Sequence, residues 1–134
     1  MKAVDEALEA AYRIRSQGDA ARSEQLYSHA ATLAGAEGDD SLRAHALRHV
    51  SDLARERGAF SEALDAAEEA QALYRAAPGG RPLDHANALR LTALALDALG
   101  DAHAAASQWR QARALYVKEG IHLAVEECDR RLRV

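Results

Sequence analysis

A helix-pair pattern occurs three times along this chain, pinned by Gly18, Gly58 and Gly100, which stand 40 and 42 residues apart. Twelve residues beyond each glycine come Ala30, Ala70 and Ala112, and fifteen beyond come Leu33, Leu73 and Leu115. Self-similarity at a fixed period of this size marks stacked supersecondary units, none of which buries its apolar face alone. Such a chain is confined to quasi-one-dimensional arrays, and these usually present extended surfaces to other proteins. With 134 residues there is enough chain for one domain with a continuous core.

Composition says what the units are made of. Alanine is about a quarter of the chain and aromatic residues only 4%. Alanine has the highest helix propensity, and its small side chain lets helix backbones approach closely. β-Branched residues are sparse, so a sheet is not expected. The fold class is therefore all-α.

Seven helices can be placed. The first runs from about Lys2 to Gln17, with Val4, Ala7, Leu8, Ala11 and Ile14 on one face, and stops at Gly18. The second begins at Asp19 or Ala20 and continues to about Ala36, ending near Gly38. Asp39 or Asp40 caps the third, which ends at Gly58; the fourth spans roughly Ala59 to Ala77 and is terminated by Pro78-Gly79-Gly80. Pro82 fits the first turn of the fifth, where its missing N–H costs nothing. Gly100 ends that helix, Asp101 caps the sixth, and Gly120 ends it. The seventh, about Ile121 to Arg133, places Ile121, Ala124, Val125, Cys128 and Leu132 along one face. Short turns make consecutive helices antiparallel neighbours. The single domain thus divides into repeats at about 2–37, 40–77 and 82–119, with a capping helix at about 121–133. Met1 and that cap give the expectation of a complete unit.

Several function classes fall away. A net charge of −4 argues against a nucleic-acid partner, which calls for a basic excess. No uncharged apolar run approaches the ~20 residues that span a bilayer, so no membrane role is expected. Asp5, Glu6 and Glu9 exclude the apolar centre of a signal peptide. Cys128 is the only cysteine and reads as a small buried hydrophobe in a reducing, cytoplasmic setting. His45 and His49 have the i,i+4 spacing of metal ligands, but the stretch His-Ala-Leu-Arg-His lacks the glutamate of the metalloprotease signature. Glu62, Asp65, Glu68 and Glu69 fall on an outer helix rather than across a cleft. No strand–turn–helix elbow activates a serine. The chain is expected to be no enzyme, and to need no cofactor or metal.

The units resemble tetratricopeptide repeats. The residues that carry the resemblance are Ser51, Gly58, Phe60, Ala63, Ala67 and Ala70 in the second unit. In the third they are Ala93, Gly100, Ala102, Ala105, Trp109 and Ala112, and in the first Ala11, Gly18, Ala20, Ser23, Tyr27 and Ala30. Small residues sit where the two helices of a unit cross, and a large one at Tyr27 or Trp109 fills the space between units. Phe60 is the only aromatic at its position, and the helix-ending proline appears only as Pro78, shifted. The long period, with Pro82-Leu83-Asp84-His85-Ala86 opening a helix, is similar to the subtype in kinesin light chains and bacterial peptide-sensing regulators. The resemblance implies an α-α superhelix whose first helices line a concave groove.

On that basis the groove-facing set is Asp5, Leu8, Tyr12 and Arg15 from the first unit; His45, Arg48, Asp52 and Arg55, with His49 close by, from the second; and Asn87, Arg90, Leu94 and Asp97 from the third. Arg15, Arg48, Arg55 and Arg90 make this face more basic than the acidic whole. Their planar forks suit a carboxylate or acidic side chain of an extended peptide, and Tyr12 and Leu94 would add apolar contact. The alternative is a solvated helix face, with Arg48–Asp52 an ordinary i,i+4 pair. The carboxylate clamp of chaperone-binding members has lysines and asparagines where this chain has Leu8, Tyr12, His49, Asn87 and Leu91, so a chaperone tail is not expected. The expected role is a scaffold-like interaction module for a protein or peptide segment, acidic in character. Homodimerisation, or service as a small-ligand or peptide sensor, is the competing expectation.

Overall fold

Most of the helices end where a glycine lets the backbone turn left-handed, and the same turn is used again and again. The computed structural model describes residues 2–77 and 79–133, and among these are seven helices. They are α1 (Ala3–Ser16), α2 (Ala20–Ala36), α3 (Asp40–Glu56), α4 (Phe60–Ala76), α5 (Pro82–Ala98), α6 (Ala102–Glu119) and α7 (His122–Leu132). Gly18, Gly58 and Gly100 sit at φ of +89°, +83° and +85°. At each, the glycine N–H donates to the carbonyl three residues back, and the next N–H reaches five back: Asp19 to Ile14, Ala59 to Ala54, Asp101 to Leu96. These bonds satisfy the last carbonyls of the helix. Asp19, Asp39 and Asp101 then accept from Arg22, Leu42 and Ala104 N–H groups and cap the helices that follow. Ala59 and Ile121 stand at the N-caps of α4 and α7 with no side-chain acceptor to offer. Pro78, expected to stop α4, and Met1 lie outside the described residues.

Each helix packs on its neighbours in sequence, and α3 also meets α5. The result is an all-α superhelix of helical repeats. Within a unit the paired helices cross on small residues. Ser23 Oγ donates to the Ala11 carbonyl at 2.8 Å, and Ser51 Oγ to the Ala63 carbonyl at 2.8 Å. At the same two positions of the third unit both residues are alanine, Ala93 and Ala105, and both are fully buried. A hydroxyl thus appears once on each side of the crossing and then on neither. Backbones this close leave no room for a larger side chain.

The apolar interior is parcelled rather than pooled. One cluster joins Ala11, Tyr27 and Leu53; another joins Ala44, Ala70, Tyr74 and Ala88; a third joins Ala54, Ala63 and Ala95. Each draws on three consecutive helices. The largest runs from Ala67 through α5 and α6 to Cys128 and includes Trp109 and Tyr116. Tyr27 therefore sits between the first and second units, and Trp109 between the third unit and α7. α7 turns Glu126 and Arg130 outward, together with the exposed Leu123 near its start.

Candidate functional site

The odd-numbered helices are tied to one another by arginine–carboxylate bridges. Arg15 on α1 reaches Glu56 on α3 at 3.0 Å. Arg48 on α3 reaches Asp84 on α5 at 3.3 Å, and its Nη1 also donates to the Tyr74 hydroxyl at 3.4 Å. Arg90 on α5 grips Glu127 on α7 with two bonds, 2.5 and 3.1 Å. Every step along this wall carries at least one bridge. The fourth arginine, Arg55, pairs within its own helix, donating from Nη2 to Asp52 at 2.9 Å. Asp52 also lies within electrostatic reach of Arg90, and Arg48 of Tyr116, so α3, α5 and the end of α6 share a face.

This arrangement revises the expected groove in specific ways. Arg48 does not pair with Asp52; a carboxylate from the next odd helix takes it, and Asp52 turns to Arg55. Leu94 is only 8% exposed and belongs to the interior cluster around Trp109, so it offers no surface to a partner. The physical reason is that α5 packs against α4, α6 and α3, which leaves little of its length free. Asn87 spends its carbonyl oxygen accepting from the Tyr116 hydroxyl at 2.6 Å. Asp97 accepts from Trp109 Nε1 at 2.9 Å and holds Arg131, whose guanidinium lies 5.5 Å from the Trp109 ring centroid. Tyr12, by contrast, is 69% exposed on α1. Val4 on α1 is fully buried and Leu8 partly so.

His45 and His49 form the neutral centre of the wall. Their rings meet edge to face with centroids 4.9 Å apart, and His49 stacks flat on Tyr27 at 4.3 Å. Arg15 Nη1 lies 3.4 Å from His49 Nδ1. A guanidinium only donates, so Nδ1 is the acceptor and the ring proton sits on Nε2. Burial lowers the His49 pKa to about 4, with the neighbouring His45, Arg15 and Arg48 pushing the same way and Asp52 opposing them. His45 is lowered too, first by burial and then by Arg48, against the pull of Asp84. Both rings are neutral near pH 7. Among the described residues no third His, Cys, Asp or Glu completes a metal-binding group with them.

Sequence reasoning missed Glu56, Asp84 and Glu127, the acceptors of the bridges, along with Tyr74 and Tyr116 beneath them. A signal was present: Arg48 to Asp84 and Arg90 to Glu127 are separated by 36 and 37 residues, a spacing just short of one period. Beside the third bridge an open depression of about 530 Å³ lies between α5, the end of α6 and α7, edged by Leu83, Ile121, Leu123 and Ala124. On the outer helices the expected carboxylates serve ion pairs, Glu62 with Arg57 and Glu69 with Arg43. Cys128 is fully buried. No helix among the described residues is long and apolar enough to cross a membrane. No protein-family model matches the chain, and no curated protein does.

Proposed function

We propose that this chain is a tetratricopeptide-type interaction module that acts without catalysis, in the cytoplasm, by holding a segment of a protein or peptide partner along its odd-helix wall. The observation that carries this reading is the wall itself: four helices tied in a row by arginine–carboxylate bridges, with the Tyr12 ring exposed at one end and an open depression beside the third bridge. Small-molecule sites are concave and mostly apolar with a few convergent polar groups; an extended peptide needs a long, open, hydrogen-bonding surface. The acidic character of the partner is narrower than the count of arginines suggests. A carboxylate arriving at Arg15, Arg48 or Arg90 must displace one that is already there.

The test is site-specific photo-crosslinking in host lysate, with the photoreactive residue at Tyr12 on the wall and, separately, at Glu68 on the outer face. A partner captured at position 12 and not at position 68 supports the reading. The same set captured at both sinks it. A second reading, self-association, draws on the exposed Leu123, Val117 and Ile121 at the α7 end, 79%, 53% and 37% exposed. Light scattering across a concentration series separates the two.

A further inference from the structure

Helix α5 begins at Pro82 and α7 at His122, an interval of 40 residues, so Leu123 and Arg130 stand on α7 where Leu83 and Arg90 stand on α5. On α5 both positions are engaged. Leu83 is partly buried against the cluster around Trp109, and Arg90 is held by Glu127. Arg48 occupies the same position on α3 and is held by Asp84. On α7 the two positions are open. Leu123 is 79% exposed, and Arg130 is exposed with no carboxylate in ion-pair contact among the described residues; nearby Glu127 and Asp129 are taken by Arg90 and Arg113. Leu123 and Arg130 both edge the depression of about 530 Å³ beside the third bridge. Of the other polar groups that line it, Arg90 is bonded to Glu127 and the Tyr116 hydroxyl to Asn87. What remains is an apolar surface of Leu83, Ile121 and Leu123 with one uncommitted positive charge.

We infer that this depression seats a partner segment carrying an apolar side chain and a carboxylate three residues apart, the apolar group on Leu123 and Leu83 and the carboxylate on Arg130. The segment belongs to the partner of the interaction reading above, so the inference rests on that reading and names the sequence the wall selects. Seven positions separate Leu123 from Arg130, two turns along one face of α7, or about 10 Å. An extended chain of the polyproline type brings every third residue to the same side, about 9 Å apart. A chain terminus holds its carboxylate beside its own side chain, short of this span, so the acid is a glutamate or aspartate within the segment. Arg130 gives up nothing to bind it, whereas Arg15, Arg48 and Arg90 would each have to release a carboxylate. A second copy stacked on the end of the array fits less well. Where α5 carries the buried Ala86 and Leu89, α7 carries the exposed Glu126 and Asp129, which is bonded to Arg113. That end face is polar, and the apolar surface lies on the wall.

Four capped peptides test this: acetyl-Ser-Leu-Ser-Ser-Glu-Ser-amide, its reverse with Glu ahead of Leu, and two controls with Gln in place of Glu or Ser in place of Leu. Each is titrated into protein labelled at the leucine methyls and arginine Nε, and the Leu123 and Arg130 signals are followed by NMR. One or both Leu–Glu peptides should shift the two signals along a single saturation curve, and the better order gives the direction of the bound chain. Each control should bind about tenfold more weakly. Arg130→Gln should erase the preference for Glu over Gln, and Leu123→Ser the preference for Leu over Ser; both positions are exposed, and Trp109 fluorescence checks that the fold is kept. No saturable shift with either order, controls that bind equally well, or preferences that survive the substitutions overturn the inference. So do Leu123 and Arg130 signals that move with protein concentration alone, because a second copy is then the occupant. Failure of the broader reading looks different. If position 12 still captures its partner while all four peptides leave both signals unmoved, the module survives and only the role of this depression is lost.

Discussion

If the wall arginines are ties between units, then breaking one should cost stability, and the cost should be shared with its carboxylate. Arg90 and Glu127 are the strongest case: two bonds of 2.5 and 3.1 Å, with side chains 35% and 22% exposed. A fully exposed pair is worth about 0.2–1 kcal/mol, and a hydrogen bond to a charged group about 1.5–3 kcal/mol. Partial exposure and two-point geometry place the coupling between these limits, at about 1–1.5 kcal/mol. Arg90→Ala, Glu127→Ala and the double variant are unfolded in urea and followed by fluorescence of Trp109, the only tryptophan, which lies buried between the third unit and α7. With a urea slope of about 1–3 kcal/mol per molar, each single change should lower the midpoint by about 0.5–1 M. The same cycle on Arg55 and Asp52 should give about 0.2–0.5 kcal/mol, as for an ordinary pair on one helix. Should the Arg90–Glu127 coupling prove no larger than that of Arg55–Asp52, the bridges are decoration and the assignment of roles along the wall fails.

Three further outcomes follow from the same geometry. The His49 signal should titrate in NMR near pH 4, against an ordinary value of 6.5. The folded value lies below the unfolded one, so the unfolded chain takes the proton first, and the stabilisation is complete above about pH 6.5 and lost as pH falls toward 4. Solvent screening limits that loss to on the order of 1–2 kcal/mol, and Arg15→Gln should move the midpoint upward. Ala59→Asp should give α4 the cap that Asp19, Asp39 and Asp101 give their helices, adding about 0.5–1 kcal/mol and a few degrees to the thermal midpoint; an unchanged midpoint counts against the shared turn. Ala105→Leu should destabilise by about 1–3 kcal/mol or more in calorimetry, because the helix crossing there holds alanine against alanine.

Local structure was readable in the residues because each boundary has a short-range cause. A glycine that turns left-handed, an aspartate that caps and a proline in a first turn act within a few positions of themselves, and observed helix ends fall within a residue or two of those signals. The crossing of small residues was readable for the same reason, since the period repeats it. The wall was harder. Whether Arg48 takes Asp52 or Asp84 is a contest between a neighbour one turn away and a residue 36 positions away, brought close only by stacking. Local spacing favours Asp52, while the packed array offers a half-buried partner alongside Tyr74, and the array prevails. Leu94 was misplaced because a position that faces outward at Tyr12 on the first unit is drawn on the third into the apolar cluster around Trp109.

The separate clusters leave this molecule with no keystone. A cavity made around Tyr27 deprives only α1 to α3 of contacts, and the packing about Trp109 does not feel it directly. Damage therefore stays where it is done, fraying is free to start at either rim, and α5, enclosed on most of its length, is left as the last segment to let go.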